Sequence, residues 1–257
     1  MKLTRTKADL YTFPEGFREL LDGADIYDSS SSESARVYYI DRDGGYFLKQ
    51  AEKGTLAHEA KMHAYFCALG LASKMLAYTS EEKDWMLTVK TEGEDCIAQR
   101  YLDDPLRLCE TVAAAARFLH AQPVNTEIPG TLEVWKQTAA EGYRTGRFHP
   151  RGHSEISAPD ECYRILQEGM HMLREDTLIH GDLCLPNIIL KDWKLTGFVD
   201  FDHAGIGDRH FDLYWFIWSL RYNLHTDSYR EYFLDAYGRE HVSEDVLRVI
   251  AAGESFG

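Results

Sequence analysis

The stretch Ile179-His180-Gly181-Asp182-Leu183-Cys184-Leu185-Pro186-Asn187-Ile188-Ile189-Leu190 decides the reading of this chain, together with Gly197-Phe198-Val199-Asp200-Phe201-Asp202. Asp182 sits in a loop bounded by glycine and proline, between two apolar runs, so its carboxylate has rigid flanks and stays reachable. Asn187 follows five residues later and starts a strand; Asp200, eighteen positions after Asp182, ends a second strand beyond the turn Lys191-Asp192-Trp193-Lys194. A hairpin of those strands brings Asn187 and Asp200 to the same end. An Asn amide oxygen and an Asp carboxylate are hard oxygen ligands suited to Mg²⁺. A carboxylate beside them can orient a hydroxyl and accept its proton. Phosphoryl transfer needs such a positioned nucleophile, with metal charge on the phosphate oxygens. Each residue alone reads equally well as a turn cap, a common use of Asp and Asn. The spacing, the His-Gly-Asp start and the strand placement together favour chemistry.

Outward from this stretch the chain divides in two. Val37-Tyr38-Tyr39-Ile40 is aromatic and β-branched, Asp43-Gly44-Gly45 signals a turn, and Tyr46-Phe47-Leu48-Lys49 is a second strand. The spacing of Met62, Tyr65, Phe66 and Leu69 predicts a helix over 56–69, with Gly70 as its stop. Two further strands follow near Lys74–Tyr78 and Trp85–Val89. Beyond Thr91-Glu92-Gly93-Glu94-Asp95 the pattern turns helical, with helices expected near 106–120, 131–142, 159–175, 209–224, 228–237 and 244–251. The alanine run Ala113–Ala116 favours the first of these. The expected organisation is a β-rich lobe over 1–90, a hinge over 91–95 and a mainly helical lobe over 96–257.

His180-Gly-Asp182 with Asn187, followed by Val199-Asp200-Phe201, resembles the aminoglycoside phosphotransferase superfamily, whose members are relatives of the protein kinases. The string HGDLCLPN is similar to the aminoglycoside 3′-phosphotransferases in particular, and the resemblance extends over most of the chain. It implies an α+β, bilobal, protein-kinase-like fold that binds ATP or GTP with Mg²⁺. It makes Asp182 the catalytic carboxylate and Asn187 and Asp200 the metal ligands. It pairs Lys49, at the end of a strand, with Glu59, at the start of the next helix, so that the lysine is aimed at the α- and β-phosphates. The phosphate-covering loop falls on Ser29–Ser34, with Ser31 and Ser32 as candidate donors; no G-x-G-x-x-G is present there. By the same resemblance the Val89 carbonyl and the Thr91 N–H are candidate adenine contacts. Asp208 and Asp212 brace the loop and the following helix, Asp212 as a buried acceptor of backbone bonds.

Departures from the family lie on the acceptor side. Where its members are acid-rich, Glu141–Glu155 holds three arginines and two histidines against two glutamates. Arg221-Tyr222-Asn223 stands where paired acids are usual. The chain ends Glu254-Ser255-Phe256-Gly257 rather than Asp-Glu-aromatic-Phe. Asp202-His203 replaces Gly-Arg. Glu254, Phe256 and His203 are therefore the acceptor-side candidates. If the arginines face the acceptor, a polycation binds weakly and its KM is high. Aminoglycoside is the expected acceptor. The alternatives are another small hydroxyl compound, such as a sugar, choline or homoserine, or a nucleotide-binding pseudokinase.

Composition excludes other classes. Lys and Arg number 28 against 42 Asp and Glu, a net charge of −14, so the basic stripe of a nucleic-acid binder is missing. No apolar run reaches the roughly 18 residues a membrane span needs. The start MKLTRTKADLYTF has no apolar signal-peptide region, so a cytoplasmic location is expected. Five cysteines occur without a C-x-x-C pair, which argues against structural zinc and dithiol chemistry and for reduced thiols. Sequence alone leaves the oligomeric state open.

Overall fold

The computed structural model describes residues 3–6, 13–30, 35–150 and 158–257. In chain order its elements are β1 (Thr4–Arg5), α1 (Glu15–Leu21), β2 (Asp25–Asp28), β3 (Ala35–Asp41), β4 (Tyr46–Glu52), α2 (Ala57–Ala68), β5 (Met75–Ser80), β6 (Lys83–Val89), β7 (Glu94–Asp95), α3 (Gln99–Leu102), α4 (Pro105–His120), α5 (Leu132–Thr145), α6 (Pro159–Gly169), β8 (Thr177–Ile179), β9 (Ile188–Lys191), β10 (Lys194–Phe198), β11 (Gly205–Gly207), α7 (His210–Leu224), α8 (Arg230–Tyr237) and α9 (Glu244–Glu254). Two compact units result. The first is Met1–Glu94 with Ile189–Lys191 and Thr196–Asp202; the second is Asp95–Ile188, Asp192–Leu195 and His203–Gly257. The chain thus returns to the first unit after the second has begun, and it carries Asp200 there.

Among the described residues the first unit holds a six-stranded antiparallel sheet in the order β1-β2-β3-β4-β6-β5. Its two faces are separated by the period-2 alternation of side chains. Tyr38 pairs with Leu48, and Leu48 with Leu87, so these three line one face. That face packs on Phe13, Phe17 and Leu21, the last two from α1. Burying a side chain such as Leu48 contributes roughly 1.5–3 kcal/mol. The other face carries Ala51 and Met86, which pack with Leu56 and with Ala60 of α2. Helix α2 stops at Gly70, whose φ of 73° suits the left-handed cap. Gly70 N–H donates to Cys67 O and Leu71 N–H to Phe66 O, the paired bonds of a Schellman ending.

In the second unit, Asp104 caps α4 by accepting from Arg107 N–H, and Pro105 opens the helix where its missing N–H costs nothing. Ala113, Ala115 and Ala116 of α4 are buried, as are most residues of α7 from His210 to Phe216. A helix buried on nearly every side is a core element. Strands β8 and β11 pair antiparallel, Ile179 opposite Gly205. All five cysteines are free. No helix of the described residues is long and apolar enough to cross a membrane.

Several elements differ from the sequence expectation. Asn187 closes the 3-10 turn Leu185–Asn187 rather than opening a strand, because Pro186 has no N–H to give to a ladder. Strand β10 ends at Phe198, and Asp200 at φ 68° lies outside extended backbone. The helix expected over 159–175 stops at Gly169 and continues as the 3-10 turn Met170–Met172. Helix α1 is additional to the sequence expectation.

Candidate active site

Strand register decides where Lys49 points. Leu48 faces the α1 side, so Lys49 faces the opposite side, in register with Val37 and Met86. Helix α2 covers that side, and Glu59 in its first turn is only 3% exposed. Lys49 Nζ donates to Glu59 Oε2 at 2.7 Å and to Asp200 Oδ1 at 3.0 Å. Asp200 reaches the lysine because the chain is anchored on both sides of it. Phe198 N–H donates to Leu71 O at 2.8 Å, and the fully buried Phe201 ring packs on Phe66 at 4.6 Å and edge-on to His63 at 5.2 Å. Between these anchors Asp200 adopts its left-handed φ, a conformation that Asp tolerates better than most residues and that clusters at functional sites.

Two carboxylates around one ammonium leave this cluster with net negative charge. Burial pulls the Lys49 pKa down, but Asp200 and Glu59 outweigh it, and the ammonium is held above its ordinary range. Burial raises Glu59, and the Lys49 charge offsets this only in part, with Asp200 adding like-charge repulsion. Lys49 therefore stays a cation at neutral pH, ready to meet an anion.

The second unit holds the other two residues. Strand β8 delivers the chain to His180, Gly181 and Asp182. Gly181 has a φ of 81°, and a Cβ there would lie 2.1 Å from the His203 carbonyl oxygen. Only glycine fits both demands, and Gly181→Ala is expected to disrupt the loop, read as loss of activity with reduced Tm. Asn187 Nδ2 donates to Asp182 O at 2.9 Å and to Asp182 Oδ2 at 3.0 Å, and Asp182 N–H donates to His180 Nδ1 at 3.3 Å. The Asn187 amide thus clamps the carboxylate with its nitrogen and keeps its oxygen for another partner. Asp212, fully buried, accepts from Gly181 N–H at 2.7 Å and from His180 N–H at 2.9 Å. Asp208 accepts from Arg174 N–H at 2.8 Å and from His210 N–H at 3.0 Å.

Among the described residues no group of three or more His, Cys, Asp or Glu converges as a metal cage. Mg²⁺ is commonly held by one or two protein oxygens plus substrate phosphates. Asp200, in the first unit, is about half exposed with Oδ1 on Lys49; Asn187, in the second, bonds Asp182 through its amide nitrogen.

The remaining nucleotide candidates are less uniform. Ser31 and Ser32 lie outside the described residues. Val89 ends β6, and its N–H donates to Lys74 O at 2.9 Å. Thr91 is buried and its Oγ1 has no hydrogen-bond partner among the described residues. A buried hydroxyl left unmet costs free energy unless a ligand or water reaches it.

Comparison with known proteins decides the family. The phosphotransferase enzyme family (APH) matches residues 29–249. A probable aminoglycoside 3′-phosphotransferase of Lactococcus lactis subsp. lactis (strain IL1403) is 41% identical over 99% of each chain. This chain belongs to the aminoglycoside phosphotransferase family. Among solved structures, a type VIII aminoglycoside-3′-phosphotransferase superposes with a TM-score of 0.73 at 24% identity, over 94% of this chain and 97% of the other. The aminoglycoside phosphotransferase APH(3″)-Id of Streptomyces rimosus ATCC10970 gives 0.71 at 21% identity, over 92% and 94%. These likenesses establish the bilobal, protein-kinase-like α+β fold, with a β-rich N-terminal lobe and a helical C-terminal lobe.

For this aminoglycoside phosphotransferase family member, the acceptor-side candidates turn out differently from one another. Phe256 is fully buried among Tyr143, Phe148 and Tyr163, so its ring has no surface to offer a ligand; packing is its role. Glu254 is partly exposed, and its Oε1 accepts from Trp135 Nε1 at 2.8 Å. His203 is exposed, and its carbonyl closes over Gly181. Arg144 belongs to α5 and donates through Nε to Glu141 at 2.8 Å. Arg147 Nε donates to Phe256 O at 2.8 Å, tying the C-terminal residues to α5. Arg151 lies outside the described residues. Two of the three arginines thus have partners within their own unit. Beside the end of α7, Trp218 and Tyr222 stack at 5.2 Å, and Arg221 pairs with Asp227 at 3.3 Å, where the sequence departs from the usual paired acids. These residues, with Asn223 and His225, line an open hollow of about 640 Å³.

Close approach also holds the C-terminus. A Cβ on Gly142 would lie 2.1 Å from Phe256 O. Gly142→Ala is expected to destabilise the chain by about 1–3 kcal/mol, the usual cost of overpacking. A urea melt measures this, and limited proteolysis should show earlier cleavage at the C-terminal end.

Proposed function

We propose that this chain transfers the terminal phosphoryl group of ATP or GTP to a hydroxyl of a small molecule, and that the acceptor is an aminoglycoside. The observation that carries the reading is the Asp182 carboxylate, fixed by the Asn187 amide on a loop whose backbone is itself pinned by Asp212. Asp182 accepts a hydrogen bond from the acceptor hydroxyl, orients its oxygen toward the γ-phosphorus, and takes the proton as the new P–O bond forms and the nucleoside diphosphate leaves. Lys49, held by Glu59, steadies the α- and β-phosphates. Asn187 and Asp200 are the residues to hold Mg²⁺, which when bound supplies positive charge to the phosphate oxygens. Thr91 and Val89 would face the base. A relative named as a probable aminoglycoside 3′-phosphotransferase supports the acceptor class, and a net charge of −14 is compatible with a cationic acceptor.

The basic segment 144–155 does not weigh heavily against that acceptor. Arg144 is exposed and answered by Glu141, and solvent and salt screen an exposed charge pair. Arg144→Glu is therefore expected to change the aminoglycoside KM by no more than about fivefold. A KM lowered tenfold or more by this substitution would return the arginine to the acceptor site.

The deciding experiment is coupled ADP release with a panel of aminoglycosides, choline, homoserine and simple sugars. Turnover confined to aminoglycosides is the expected result. Turnover only with another member of the panel replaces the acceptor and leaves the chemistry standing. Nucleotide binding without turnover on any acceptor overturns the proposal in favour of a regulatory pseudokinase.

A further inference from the structure

Asp84 is a carboxylate that the proposed chemistry does not use. It lies in β6 beside Trp85, Met86 and Leu87, and it is fully buried. Strand register sets Asp84 opposite Ala51 and Met86 opposite Lys49, so alternation puts Asp84 and Lys49 on the same face of the sheet. Its Oδ2 accepts from the Leu56 N–H at 2.8 Å and from the Tyr78 hydroxyl at 3.1 Å. Burial pushes the Asp84 pKa up, but the surrounding donors, Ser80 first and then the Gly54 and Leu56 amides and Tyr78, outweigh it and hold the carboxyl below its ordinary value. A charge in such a place is costly unless it is hydrogen-bonded, and an apolar side chain would fill the space without that cost. What distinguishes the carboxylate is the set of donors it holds.

We propose that Asp84 is a positioning residue for the Lys49–Glu59 pair, acting through the start of α2. This rests on the assignment of Lys49 to the nucleotide phosphates. Leu56 is the N-cap of α2, and a leucine side chain offers no acceptor to the unmet amides of the first turn. The Asp84 carboxylate supplies an acceptor from the sheet instead, and its charge suits the positive end of the helix. Leu56 is thus fixed on both sides of its backbone, its N–H on Asp84 and its carbonyl on the Ala60 N–H at 2.8 Å. Its buried side chain packs with Ala51, Ala60 and Met86. Glu59 comes three residues after Leu56, within that first turn, and its Oε2 meets Lys49 Nζ at 2.7 Å. Strand β4 carries the lysine, β6 carries Asp84, and the ladder between them fixes one against the other. The rotation of α2 about its axis therefore follows from the bond to Leu56, and the place of the Glu59 carboxylate follows from that rotation.

The test compares the wild-type chain with Asp84→Asn, Tyr78→Phe, Glu59→Gln and the double variant Asp84→Asn/Glu59→Gln. Three quantities are measured: amide hydrogen exchange at Leu56, and the affinities for a fluorescent ATP and for the matching fluorescent adenosine, both with Mg²⁺. Asp84→Asn keeps the shape of the side chain and loses its charge. It should speed exchange at Leu56 by about tenfold or more. It should weaken ATP binding by about 5–20-fold and leave adenosine binding nearly unchanged, because the displaced lysine serves the phosphates alone. Glu59→Gln should weaken ATP binding at least as much. The double variant should lose no more than Glu59→Gln alone, since both changes act on one pair. A purely structural role would lower Tm, weaken both ligands together and show no such coupling. Tyr78→Phe leaves the Leu56 bond in place and should weaken ATP binding by about two- to threefold.

An equal loss of ATP and adenosine affinity in a folded Asp84→Asn chain overturns the proposal. So do losses that multiply in the double variant. If Asp84→Asn fails to fold, Tyr78→Phe decides: unchanged ATP affinity overturns the proposal, and a loss that vanishes in the Glu59→Gln background supports it. Should Glu59→Gln itself leave ATP affinity unchanged, the assignment of Lys49 to the phosphates fails and the proposal falls with it. A loss in Glu59→Gln that Asp84→Asn does not share overturns the brace alone and leaves Lys49 where it is assigned.

Discussion

Asp182→Asn is expected to keep nucleotide binding and to lose about 10²–10⁴-fold in kcat, the usual contribution of a positioned general base. The substitution is nearly isosteric, and the Asn187 amide can still donate to the oxygen of the new side chain, as it does now at 3.0 Å. The backbone bonds from His180 and Gly181 to Asp212 do not involve the Asp182 side chain and should persist. The Lys49–Glu59–Asp200 cluster belongs to the other compact unit, so its charges are left as they are. What disappears is a carboxylate able to take a proton from the acceptor hydroxyl. Acceptor and nucleotide KM should therefore move little while kcat falls, the pattern of an interaction used only in the transition state. Single-turnover kinetics with a competent acceptor check this. A variant with kcat within a few-fold of the parent removes Asp182 from the chemistry.

Why was this much legible in the sequence? Residues whose placement depends on local chain order could be read directly. His180, Gly181, Asp182 and Asn187 lie within one loop, where glycine and proline dictate the backbone and leave few arrangements. The pair Lys49 and Glu59 followed from the family resemblance, with Lys49 at a strand end and Glu59 at the start of a helix ten residues on. Long-range partners were not legible. His120, hydrogen-bonded to Asp212 and Tyr237, stands 92 positions from the first and 117 from the second, and nothing in the alanine-rich α4 distinguishes it from a satisfied core histidine. Phe256 illustrates the opposite case: the resemblance made it an acceptor-side candidate, but tertiary packing buries its ring, and the Arg147 guanidinium, whose direction the sequence left open, turns to its carbonyl. The left-handed backbone at Asp200 is also a tertiary product, imposed by the anchoring of Phe198 and Phe201 on either side.

That backbone shapes the expected outcome at Asp200. Asp200→Ala should lose Mg²⁺-dependent nucleotide binding, because it removes the one carboxylate among the two residues proposed to hold the ion. It also removes one of the two anions that hold Lys49 above its ordinary pKa, leaving Glu59 as its partner at 2.7 Å. The lysine then remains charged, so metal-independent attraction for phosphate should survive or rise slightly. Alanine at a φ of 68° adds a second effect, a backbone strain of roughly 1–2 kcal/mol. Asp200→Asn separates the two, since Asn tolerates the left-handed region and keeps an amide oxygen while losing the charge. If the charge is what matters, Asn and Ala should both abolish the Mg²⁺ dependence of nucleotide affinity, and only Ala should lower Tm. Titration of a fluorescent nucleotide with and without Mg²⁺, beside a thermal melt, distinguishes the cases. Unchanged Mg·ATP affinity and turnover in the Asn variant would take Asp200 out of the metal site and leave it as a counter-ion for Lys49.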